Sequence, residues 1–211
     1  MSERKPASRR KKASEETRRL ILAAAKQLFT QRGSADVSTR ELAAAAGVAE
    51  GTIFVHFPDK ASLLVAALND EVQLALEEGM TSMPADGPAP AKLLHVARCL
   101  YSHYSKQPAL SRILVKESIF VKGDLRNELI QPIEQFVSWA ASIVEADKEA
   151  GRYDAGVNSE TAARTYFSAY FVELVNGLGQ PVVDVEEMCS RLAGFLEQWE
   201  TGLLKRSSPK E

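Results

Sequence analysis

Cysteine, histidine and tryptophan are scarce in this chain of 211 residues, and each shortage closes off a class of chemistry. The two cysteines, Cys99 and Cys189, lie far apart and form no C-x-x-C pair. With no apolar export segment behind the basic N-terminus, they read as free cytosolic thiols. Three histidines leave no H-E-x-x-H, and P-loop, G-x-S-x-G and dinucleotide-binding patterns are also missing. An enzyme, a cofactor and a metal centre are therefore not expected. No apolar run approaches the roughly 18 residues that would cross a bilayer. The run LILAAA at 20–25 is short and falls inside an amphipathic pattern, so a cytoplasmic protein without membrane contact is expected. Alternation at period two never lasts more than a few residues, and there is no internal repeat.

What is present is helical periodicity and an uneven charge. The hydrophobic share is 45%, ordinary for a globular chain. The net charge of −2 conceals a division: residues 1–60 carry 12 Lys/Arg against 7 Asp/Glu, and residues 61–211 carry 14 against 21. A basic minor part and an acidic major part imply that only the first meets a polyanion. The spacing predicts an all-α fold of about nine helices, near 14–33, 39–47, 50–57, 59–80, 91–106, 109–121, 123–150, 159–178 and 184–204. Gly33, Pro58, the Pro-rich run at 82–90, Pro108, Gly151 and the break at 177–181 punctuate them. Three parts follow: a basic disordered arm (1–14), a helical head (15–75) and a larger second domain (76–211). The final KRSSPKE is expected to fray. Arg9, Arg10, Lys11 and Lys12 in the arm have two readings, a solvated tail or an arm along DNA phosphates or in a minor groove.

The stretch 38–60, STRELAAAAGVAEGTIFVHFPDK, organises the rest. Thr39 is expected to cap a short helix, with Leu42, Ala45 and Ala46 as its apolar stripe. Gly47 ends it where positive φ is needed. A second short helix follows, with Ile53 and Phe57 inward and Glu50, Thr52, Val55 and His56 outward. Pro58 stops it and Asp59 caps the next helix. By itself this is either a helix-turn-helix unit or an ordinary corner of an all-α protein.

The complete run RELAAAAGVAEGTIFVHFPDKASLL is specific: it resembles the N-terminal DNA-binding domain of the TetR (tetracycline-repressor-like) family of bacterial regulators. The resemblance rests on the Thr39–Val48 corner, on Gly51-Thr52-Ile53-aromatic-x-His56-Phe57, and on Lys60 three residues beyond, and covers about residues 15–75. It implies a homodimer whose last two helices pack into a four-helix bundle, a pseudo-palindromic double-stranded operator, and release from it by a small-molecule effector, so a repressor. By the same resemblance Thr39, Thr52, Phe54, His56 and Lys60 contact phosphates, Arg40, Glu50, Gly51, Thr52 and Val55 lie nearest the base edges, and Ser38 completes the DNA-binding set. Phe54 departs from the pattern, which usually has Tyr there.

Beyond the head the signals are weaker. His95, Cys99 and His103 share one helix face, but eight residues rise about 12 Å, too far for one ion. With Arg112, Phe120, Trp139, Tyr166 and Tyr170 they form the candidate effector pocket, and Tyr101, Tyr104 and Asn176 could join it. Aromatic residues at helical spacing serve equally as core. Glu117 and Glu173 are the carboxylates expected to be part-buried. The long fourth helix, shared by both domains, is the expected lever between effector and head. A helical protein-interaction module with secondary DNA binding remains the alternative, and an all-helical enzyme a third.

Overall fold

The computed structural model describes residues 5–33, 36–121 and 123–204. The expected frayed tail from Lys205 lies outside them. Among the described residues there are nine helices: α1 Lys5–Arg32, α2 Thr39–Ala46, α3 Glu50–His56, α4 Lys60–Thr81, α5 Ala89–Ser105, α6 Pro108–Ile119, α7 Asp124–Glu149, α8 Ser159–Gly179 and α9 Val185–Leu203. Their only β feature is an isolated bridge between Tyr153 and Leu204. The all-α expectation holds, and no described helix is long and apolar enough to cross a membrane.

The start of α1 is a correction. The arm expected to be disordered is helical from Lys5 onward. It lacks apolar periodicity, but it adjoins a helix already nucleated by buried Ile21, Ala24, Ala25 and Phe29. Adding a turn of Lys, Arg and Ala to an existing helix costs far less than starting one. The buried stripe of α1 is Ile21, Ala24, Ala25 and Phe29, while Leu20 is exposed.

The chain divides into two compact units. The first contains residues 1–70 and 112–125, the second 71–111 and 126–211. The division thus falls within α4, five residues before the expected boundary, and residues 112–125 join the first unit. In the second unit α9 packs on α5 and α8. Leu93, Val96, Leu100, Leu174, Leu192 and Leu196 fill the interior there. Close approach is built in at Gly79, where an added Cβ would lie 3.2 Å from Cys99 Cβ and 3.3 Å from Val96 Cα. Pro132 lies inside α7, which continues through it.

Candidate nucleic-acid interface

The corner of α2 and α3 is fixed by polar contacts within a small apolar base. Leu42, Ala43 and Ala46 are the buried residues of α2, so Ala43 rather than Ala45 completes its stripe. Ile53 and Phe57 are buried as expected. The cap of α2 is Ser38, not Thr39: its hydroxyl accepts from the Glu41 N–H at 3.2 Å. The Glu41 carboxylate accepts in return from the Ser38 N–H at 2.8 Å, which closes a capping box. Arg32, in the last turn of α1, donates to the same carboxylate at 2.8 Å. The Ser38 N–H first, then Arg32, hold the Glu41 carboxyl down at about 2, against its ordinary 4.5. Gly47, at φ 68°, ends α2 with its N–H on Ala43 and Ala44 carbonyls.

Released from the cap, Thr39 turns across the corner and donates its hydroxyl to Glu50 Oε1, tying the first turn of α2 to that of α3. Helix α3 has no side-chain cap at Ala49. Phe57 closes it by donating its N–H to the Ile53 carbonyl at 2.8 Å. Over the Phe57 ring, 4.8 Å from its centroid, lies the guanidinium of Arg18 from α1. Arg18 was not among the expected residues, because a cation on an aromatic 39 positions away leaves no trace in spacing. Asp59 caps α4 by accepting from the Ser62 N–H at 2.6 Å.

The outward side of this corner is apolar where solvent should favour polar groups. Val55 is 81% exposed and Phe54 49%. Arg40, Glu50 and Gly51 are exposed as well, and Thr39, Thr52, His56 and Lys60 are half-buried. All the expected interface residues therefore come from one segment, 38–60, and none is sealed in the core. Gly51 is informative: its φ lies outside the left-handed region, and nothing approaches within 4 Å of where a Cβ would stand. Internal packing gives no reason for glycine there, although glycine inside a helix costs about 1 kcal/mol relative to alanine.

The expected effector residues of the second unit are less united. His95 Nε2 lies 2.9 Å from Ser82 Oγ and 3.9 Å from Cys99 Sγ, a local polar cluster. Among the described residues no group of three or more His, Cys, Asp or Glu could hold a metal ion. Burial lowers the His103 pKa, against the opposing pull of Glu71. Tyr166 and Tyr170 are core residues. The Tyr166 hydroxyl donates to the Leu93 carbonyl, and that of Tyr101 to the Tyr170 carbonyl, both at 2.9 Å. Phe136 sits among them, stacked on Trp139 at 5.7 Å between ring centroids. Arg112 and Phe120 belong to the first unit, and both are exposed. Glu173 is buried and held by Arg191 Nε at 2.7 Å. An open cleft of about 550 Å³ lies elsewhere in this unit, lined by Asn158, Thr161, Thr165, Trp199 and Leu203 among others. None of the eight expected pocket residues lines it.

Comparison with known proteins places the chain. The model of the family described as "Bacterial regulatory proteins, tetR family" matches residues 21–67. The HTH-type transcriptional regulator TtgW of Pseudomonas putida, itself uncharacterized, is 30% identical over 133 residues, 62% of this chain and 97% of that one. The regulator SrpR of Pseudomonas putida is 26% identical over 166 residues, 78% of this chain and 74% of SrpR. Among solved structures, the fold resembles Bacillus subtilis FadR in complex with stearoyl-CoA, with a TM-score of 0.65 and 19% identity, over 87% of this chain and 98% of that one.

Proposed function

The chain belongs to the TetR family of bacterial helix-turn-helix transcriptional regulators, and we propose on that footing that it is a homodimeric repressor, released from a pseudo-palindromic operator by a small molecule. The observation that carries the DNA-binding part is the outer side of α3. Val55 and Phe54 stand exposed there beside a Gly51 that internal packing does not require. A duplex supplies what each lacks: thymine methyls for the apolar side chains, and a backbone that must come close at Gly51. Arg40 is set to bond a guanine edge. Glu50, already accepting from Thr39, keeps further lone pairs for a cytosine amino group. Thr39, Thr52, His56 and Lys60 take phosphates, while the Phe54 ring packs on sugar or a thymine methyl.

The dimer reading rests on apolar surface. Val172 and Val175 on α8 and Phe195 on α9 are each about half exposed, while Met188, Leu192 and Leu196 are already spent on the interior. A second copy presenting the same face buries them with two-fold symmetry. The effector belongs in the second unit, whose aromatic and apolar interior favours a lipophilic molecule. Coupling to the head through α4 needs only about 1–3 kcal/mol. Such a protein works in the cytoplasm. Gel filtration combined with duplex titration tests the reading. A dimer that binds one inverted repeat per dimer supports it, and a monomer that captures no duplex overturns it.

A further inference from the structure

The N-terminal turns of α1 carry charge that the fold itself does not use. Arg9, Arg10, Lys11 and Lys12 are all exposed, as are the four residues after them. Lys11 has an ion pair with Glu15 at 4.0 Å, both largely in solvent, which contributes little. The same helix is tied to the end of α3 through Arg18 and Phe57. At 3.6 residues per turn, Arg10 and Ser14 precede Arg18 in steps of four, and Lys11 precedes it by two turns. Lys11 and Ser14 lie within about 40° of its side of α1 and Arg10 about 80° round, whereas Arg9 and Lys12 lie more than about 100° away. At about 1.5 Å per residue, Arg10 and Lys11 stand roughly 12 and 10 Å along the axis from Arg18. These exposed cations therefore stand within about 12 Å, along α1, of the residue that ties it to the end of α3.

We propose that the N-terminal extension of α1 is a second DNA contact, in which Arg10 and Lys11 neutralise backbone phosphates beside each half-site. The inference rests on the DNA-binding reading above. The helical state decides the mode of contact. A helix about 10 Å or more across cannot enter a minor groove about 6 Å wide, so the extension works from outside as a charged rod and reads no bases. It adds affinity and salt dependence to every sequence equally.

The test uses the full chain, a duplex selected by the wild-type protein and titrations across a salt series. Each phosphate contact contributes about 0.9 to the slope of log K against log[salt]. Arg10 and Lys11 on two protomers should therefore lower it by about 3–4 in the Arg10→Ala/Lys11→Ala variant, with base preference unchanged. Arg9→Ala/Lys12→Ala, which removes the same charge from the other side, should lower it by less than half as much. Alanine is the best helix former, and an unchanged helical circular dichroism signal confirms that α1 persists. A wild-type slope for Arg10→Ala/Lys11→Ala overturns the proposal. So does an equal loss from both variants, which means a diffuse charge cloud, or an altered preference for flanking A·T pairs, which means a minor-groove arm. If the wild-type protein selects no duplex at all, the DNA-binding reading has failed and this inference fails with it.

Discussion

At Gly51 the free protein and its DNA complex make opposite demands. Alanine there meets no neighbour and suits a helix better, so Gly51→Ala should raise the unfolding free energy of the free protein by up to about 1 kcal/mol. The same methyl stands where a DNA backbone must approach, so operator affinity should fall by an order of magnitude or more. Thermal melts beside duplex titrations check both signs; unchanged affinity would show that Gly51 faces away from DNA. Phe54, half exposed, tests the neighbouring position. Phe54→Tyr restores a hydroxyl that can donate to a phosphate, and should bind operator at least as tightly as wild type. Markedly weaker binding would mean that the ring points elsewhere. At this scale the sequence was legible for types and faces, and not for partners. Ile53, Phe57 and Gly47 behave as their positions in the motif require. The capping box at Ser38 was also written in the sequence, as Ser-x-x-Glu, but Thr39 one residue later is an equally good cap by type. Only the backbone shows that its hydroxyl turns to Glu50.

At the scale of elements, the α2–α3 corner depends on a small polar network. Ser38→Ala should cost about 1 kcal/mol of stability, the usual value of a lost cap. Glu41 adds a pH dependence of definite sign. Its folded pKa is depressed from 4.5 to about 2, so its contribution is complete above pH 4.5 and disappears as the pH falls toward 2. Glu41→Gln should flatten the melting temperature over that acid window relative to wild type; an unchanged acid profile would show that the network with Ser38 and Arg32 does not govern the corner. Helix ends marked by Gly, Pro or Asp were legible to within a few residues, because those residues act through their own backbone. The start of α1 was not, because helix propagation from a buried segment overrides the absence of any local pattern.

At the scale of the molecule, length, composition and charge division pointed only to a smaller part that meets a polyanion and a larger acidic part; it was the run 38–60 that marked a DNA-binding head, and the family assignment agrees. The effector site was the least legible part. Tyr166 and Tyr170 recur at helical spacing whether they line a cavity or fill a core, and here their rings are buried against Phe136. The apolar surface of α8 and α9 makes a sharper claim. Val172→Asp/Phe195→Asp places two charges at a face that dimerisation must desolvate. It should convert the protein to a monomer in gel filtration and reduce operator affinity by at least a hundredfold, while the helical signal stays intact. A variant that remains dimeric would place the interface elsewhere.

The measurement that bears most directly on the whole reading is selection of bound duplexes from a random or genomic pool, followed by titration of the enriched sequence at two salt concentrations. A two-fold dimer with an α3 in each of two major grooves predicts an inverted repeat, with half-sites about one helical turn or slightly more apart. It also predicts a loss of roughly three orders of magnitude or more in affinity between 50 and 200 mM salt. Binding that is weak, shows no enriched repeat and stays so when a cell extract is added would contradict it.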